Sequence, residues 1–91
     1  DGLPDPNVAA LARTRDGFLW IGTRTGLVSY DGVQFVPLAA EDAAQLPDTW
    51  INGLSLDPQD RLWIATAGGL AVREDGRVSL FVIDWNGKGI Y

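Results

Sequence analysis

The chain has 91 residues, 46% of them hydrophobic, a formal net charge of −5, and neither Cys nor His. This length allows one small domain, and its hydrophobic share is that of a globular rather than a disordered chain. Acidic balance with singly scattered Lys and Arg argues against nucleic acid, whose phosphates need clustered cations, and disfavours an anionic membrane surface. The missing Cys and His remove disulfides, thiolate and imidazole metal sites, and the commonest general base. No apolar run approaches the ~20 residues of a membrane span, so direct insertion is not expected.

In chain order, apolar stretches bounded by turn residues predict strands over Val8 to Thr14, Phe18 to Thr23, Leu27 to Tyr30 and Val33 to Leu38. Asp16-Gly17 and Asp31-Gly32 punctuate them, a pair suited to type I′ hairpins because both central residues need positive φ. Ala39 to Gln45 has helix-friendly composition but is long enough only for a single turn. Strands are expected again over Ile51 to Leu56, Arg61 to Thr66, Leu70 to Arg73 and Arg77 to Ile83, with turns at Asp57 to Asp60 and Asp75-Gly76. Asn86-Gly87 marks one more turn, so Trp85 and Ile90-Tyr91 would flank a further hairpin.

These two sets of strands are copies. Leu3-Pro4-Asp5 returns as Leu46-Pro47-Asp48, and Leu19-Trp20-Ile21-x-Thr23-x-x-Gly26-Leu27 as Leu62-Trp63-Ile64-x-Thr66-x-x-Gly69-Leu70, each 43 residues later (46 − 3 and 62 − 19). At Asp31 and Asp75 the offset becomes 44 (75 − 31), which suggests a length change in the last turn. A repeat of about 40–45 residues built from four short strands is the period of a propeller blade. The expected fold is therefore all-β, a β-propeller segment of two tandem four-stranded antiparallel blades. Residues 1–43 form blade 1 with its linker, 44–83 blade 2, and 84–91 a tail or extra strand. The unbroken apolar runs Phe18 to Ile21 and Leu62 to Ile64 fit strands covered on both faces, which assigns Trp20 and Trp63 to packing between blades. Two blades do not close a ring, since propellers need about four or more. An apolar face would stay open at each end.

Asp16 to Gly32, reading Asp-Gly-x-Leu-Trp-Ile-Gly-Thr-x-x-Gly-Leu-x-x-Tyr-Asp-Gly, resembles the two-component regulator propeller repeat, and Gly2-Leu3-Pro4 with Val8 resembles its lead-in. The second unit follows more loosely, with Asp60 for Gly17, Ala65 for Gly22 and Arg73 for Tyr30. The resemblance implies a segment of the periplasmic or other extracytoplasmic input propeller of a bacterial sensor. Such sensors carry a histidine kinase or diguanylate cyclase as output, and several respond to carbohydrate. The partners implied are further blades, either of a longer parent or of other copies of this chain.

Asp16, Asp31 and Asp75 sit where turns want Asp for local reasons, and no calcium-loop spacing occurs. No metal, cofactor or catalytic residue is expected, and the segment is read as non-enzymatic. In a propeller of this plan, ligands meet the loops between blades and between second and third strands. These loops bring forward Asp5, Asn7, Arg24, Thr25, Asp48, Thr49, Trp50 and Asn52 as candidate ligand contacts. Trp50 stands where Asn7 stands in the first unit, outside the repeated packing set. It either stacks a sugar ring while the polar groups bond its hydroxyls, or covers the first strand of its blade or faces the next blade. The alternative function is a self-assembling fragment, natural or engineered, that closes a ring head to tail with no ligand of its own.

Overall fold

The computed structural model describes residues 8–83 and 89–90. Strands β1 (Val8–Arg13), β2 (Leu19–Thr23), β3 (Gly26–Tyr30) and β4 (Phe35–Pro37) form one antiparallel meander. A single helical turn, α1 (Ala40–Ala43), leads to β5 (Ile51–Leu56), β6 (Leu62–Thr66), β7 (Gly69–Glu74) and β8 (Arg77–Ile83). Gly89–Ile90, β9, pairs back onto Val82 and Ile83 and adds a fifth strand to the second sheet. Trp85, proposed to flank that hairpin, lies outside the described residues.

The Thr-x-x-Gly repeat is a hairpin device. Thr23 Oγ1 donates to the Gly26 carbonyl at 3.2 Å and accepts from Thr25 N–H, while Thr66 Oγ1 donates to the Gly69 carbonyl at 2.8 Å and accepts from Gly68 N–H. Both threonines are buried, so each tight β2–β3 or β6–β7 turn is satisfied from within.

The first turn of each sheet is a three-residue loop, which at Asp16-Gly17 replaces the type I′ turn the sequence suggests. Thr14 N–H donates to the Phe18 carbonyl and Gly17 N–H to that of Thr14; Asp57 N–H donates to Arg61 and Asp60 N–H to Asp57 in the same way. The third loop residue is left-handed, φ 95° at Gly17 and φ 62° at Asp60. Asp is among the few side chains that tolerate this region. Only Asp75-Gly76, with φ 54° and 80°, has both residues positive as type I′ requires.

The shift of offset at the last turn is not a length change. Tyr30 pairs with Phe35 and Arg73 with Val78, so four residues intervene in each sheet and the offset of 43 (78 − 35) persists. Blade 1 uses its Asp differently: Asp31 Oδ1 accepts from Val33 and Gln34 N–H at 2.8 and 2.9 Å. The Asx cap keeps Val33 and Gln34 out of the ladder, and β4 starts at Phe35 rather than Val33.

The sheets meet at their first strands, with β5 against β1 and β2, and α1 reaches β8. Alternation along the strands gives each sheet a forward face, toward the next blade, and a rear face. The forward face of the first sheet carries Trp20, Gly22 and Leu27; the rear face of the second carries Ile51, Leu62, Ile64, Ala71 and Val78. Apart from Gly22 these form one buried cluster, sealed by Phe18, Leu38, Leu46, Leu54 and Leu56. Burying an aliphatic or aromatic side chain of this size contributes about 1.5–3 kcal/mol. This cluster lies between the blades; Ile21, Val28 and Val72 are buried outside it, on the opposite faces of their sheets. Close approach is set by Gly22: a Cβ there would lie 2.4 Å from Ile51 Cγ2.

Candidate functional site

Each indole is tied to the turn that precedes it. Trp20 Nε1 donates to Thr14 Oγ1 and Trp63 Nε1 to Asp57 Oδ2, both at 3.0 Å. Thr14 and Asp57 are equivalent positions (57 − 14 = 43), each six residues before its tryptophan (20 − 14 and 63 − 57), a signal present in the sequence. Around Asp57, burial opposes ionisation, but hydrogen bonds from Trp63 Nε1, the Arg61 N–H and the Arg61 guanidinium outweigh it and hold the carboxyl down at about 2. For Asp16, too, burial acts upward, and the Thr14 hydroxyl, the Phe18 N–H and the Arg73 charge overcome it.

Trp20 and Trp63 differ in burial. Trp20 is 4% exposed, because Arg73 of the second sheet lies over its ring at 4.5 Å and reaches Asp16 at 3.6 Å. The sequence marked Arg73 only as a substitution for Tyr30. Trp63 is half-buried, since its covers are Phe81, edge-on at 4.9 Å, and Arg61, both on its own sheet.

On the loop edge, Arg24 and Trp50 come together across the blade boundary, the guanidinium carbon 5.0 Å from the ring centroid. Trp50 is held by its backbone: its N–H donates to Asp48 Oδ1 at 3.0 Å and its carbonyl accepts from Ala67 N–H at 3.0 Å. The indole stays 46% exposed. Thr25 and Thr49 line an adjoining crevice of about 300 Å³ with Leu27, Leu38 and Leu46. Asn52 is exposed on β5. Asp5 and Asn7 lie outside the described residues. Among the described residues no carboxylate lies within ion-pair distance of Arg24, and its guanidinium lies over the indole face. Positions 24 and 50 have Ala67 and Asn7 as repeat equivalents (67 − 24 and 50 − 7 are both 43). The pair is therefore an addition to the blade plan, not part of it.

A second crevice of about 300 Å³ opens near the last strands, lined by Phe18, Trp20, Asp31, Asp42 and Arg73 among others. Asp42 is engaged there, accepting from Val78 N–H at 3.1 Å. Among the described residues no cluster of acids converges as a metal site, and no helix is long and apolar enough to cross a membrane.

Two four-stranded meanders packed face to face through their first strands define the class: a segment of a propeller. Residues 2–25 and 45–68 match the two component regulator propeller family model, and the chain belongs to that family. A solved structure described as the extracellular domain of a hybrid two component system from B. thetaiotaomicron superposes with a TM-score of 0.78 at 26% identity. That match takes in 98% of this chain and 13% of the other. No curated protein sequence matches the chain.

Proposed function

We propose that the chain is a non-enzymatic segment of the ligand-sensing propeller of a bacterial two-component or related signalling receptor, working in the periplasm or another extracytoplasmic compartment. The extracellular location of the structural neighbour supports the compartment. The observation that carries ligand binding is the Arg24–Trp50 pair, assembled from two blades at positions the repeat does not need. Such a pair presents an apolar ring surface beside guanidinium N–H donors, the combination that a pyranose ring with its hydroxyls demands. Carbohydrate is accordingly the proposed ligand class, with Thr25, Asp48, Thr49 and Asn52 as further candidate contacts, alongside Asp5 and Asn7, which lie outside the described residues.

Calorimetric titration of the chain with a panel of neutral and acidic oligosaccharides tests this. Trp50→Ala and Arg24→Ala should each weaken binding at least tenfold while leaving the urea midpoint nearly unchanged. Affinity for an oligosaccharide that both variants retain in full would place the site elsewhere. Loss of folding in Trp50→Ala would make that residue structural.

A further inference from the structure

We infer that the ligand recognised at the Arg24–Trp50 edge is a sugar bearing an apolar substituent about the size of one aromatic ring, and that this substituent enters the crevice beside the pair. The inference rests on the carbohydrate reading and adds the part of the ligand that the indole and guanidinium do not hold. The crevice has a cause in the sequence. In the second sheet the β7–β8 ladder runs on to Leu70 and Phe81. The equivalent residues of the first sheet are Leu27 and Leu38 (70 − 43 and 81 − 43), yet the β3–β4 ladder stops one pair earlier, at Val28 and Pro37. Proline belongs to strand edges and ends, and after Pro37 the chain leaves the sheet through Leu38 toward α1. A space of about 300 Å³ is left between the start of β3, the end of β4 and the linker that crosses to the second blade.

The walls of this space are apolar: Leu27, Pro37, Leu38, Ala43 and Leu46. Its polar lining is Thr25 and Thr49. Both are exposed; Thr25 follows Arg24 in the chain and Thr49 precedes Trp50, so the crevice is continuous with the aromatic–cation pair. The Thr49 hydroxyl has no hydrogen-bond partner among the described residues. An apolar cavity of about 150 Å³ holds a benzene molecule, so the crevice has room for one ring and for the atoms that join it to a sugar. Threonine hydroxyls at the join suit the oxygen of a glycosidic or ester link, an acceptor set between an apolar body and a polar ring. Apolar walls with a few polar groups are the usual lining of a small-molecule site. A bare oligosaccharide stacked on Trp50 would leave those walls facing water; a substituted one covers them.

The test is calorimetric titration with matched methyl and phenyl glycosides of glucose, galactose, mannose, xylose and glucuronic acid. It compares the parent chain with Trp50→Ala, Ala43→Phe and Ala43→Leu. Ala43 is exposed on α1 and borders the crevice, so a larger side chain there plugs the space from a position with room for it. Far-UV circular dichroism checks that the fold persists, and Ala43→Leu is the milder plug. For the sugar that binds, the phenyl glycoside should be held about ten- to a hundredfold more tightly than the methyl one, the effect of taking one ring out of water. Trp50→Ala should weaken both members of the pair by roughly tenfold or more. In Ala43→Phe the phenyl advantage should all but vanish, and in Ala43→Leu it should shrink. Equal affinity for the two glycosides in the parent chain would overturn the inference and leave the carbohydrate reading intact. A phenyl advantage that survives both plugs would do the same, since the ring would then lie outside the crevice. Binding of no glycoside of either kind would overturn the carbohydrate reading and this inference with it.

Discussion

Gly22→Ala should destabilise the chain although the same strand position holds Ala65 in the second sheet. An Ala is therefore compatible with the strand, and replacing a strand Gly by Ala would by itself gain about 0.5–1 kcal/mol. The opposing effect is at the blade boundary. The new Cβ would lie 2.4 Å from Ile51 Cγ2 and 2.9 Å from Ile51 Cβ, whereas carbon contacts are comfortable at about 3.5–4.0 Å. Ile51 is fully buried and has no free direction in which to turn, so the sheets must separate. Overpacking costs about 1–3 kcal/mol, and a contact this short belongs in the upper part of that range, about 2–3 kcal/mol, which leaves a net loss of about 1–2.5 kcal/mol. Urea unfolding at fixed chain concentration should show it as a fall in midpoint of roughly 0.5–1.5 M. Ile51→Ala alone should cost about 2–5 kcal/mol. The double variant removes the Cγ2 clash, leaving only the milder 2.9 Å approach to the Cβ of residue 51, and should be about 1 kcal/mol more stable than the sum of the singles. A Gly22→Ala variant as stable as the parent, or strictly additive effects, would refute this packing of the blades.

Asp60→Gly should be nearly neutral, because relief of the left-handed backbone offsets the lost bond to Arg15. Asp60→Ala loses the bond without relief and should cost about 1–2 kcal/mol, as read from urea midpoints. Trp63→Phe removes the Nε1 donor from Asp57, so the Asp57 carboxyl, followed by NMR titration, should move up from about 2. Asp16, Asp31 and Asp57 are all held below the ordinary carboxylate value. Their folded values lie under their unfolded ones, so the stability they contribute is full above about pH 5. It is lost as pH falls through about 3.9 toward about 2. Urea midpoints measured between pH 7 and pH 2.5 should trace this decline, and Asp57→Asn should flatten it; an unchanged slope would show that Asp57 is not the group responsible.

The local content of the fold was legible in the sequence because it repeats. Thr-x-x-Gly is a hairpin whose hydrogen bonds close within four residues, and Leu-Trp-Ile alternates between the two faces of its strand. The strands read correctly without knowledge of any neighbour, whereas packing of the Trp between blades holds for Trp20 and not for Trp63, whose ring contacts are Phe81 and Arg61 of its own blade. The turn types were less legible, since Asp-Gly serves equally as a type I′ pair, as the end of a three-residue loop or as an Asx cap; the choice depends on where the flanking strands pair. Contacts across the blade boundary join residues from 26 (Arg24–Trp50) to 57 (Asp16–Arg73) positions apart, and no periodicity encodes which pairs meet. Gly22 entered as a motif glycine and Arg73 as a departure from Tyr; one proved to set the spacing of the sheets and the other to cover Trp20. The meeting of Arg24 with Trp50 belongs to the same class. The chain's own letters determined two blades and their strands, because backbone hydrogen bonding and side-chain alternation are local. Only the tertiary structure decided that Trp20 is sealed while its repeat equivalent Trp63 stands half open, because burial is a property of the neighbour and not of the residue.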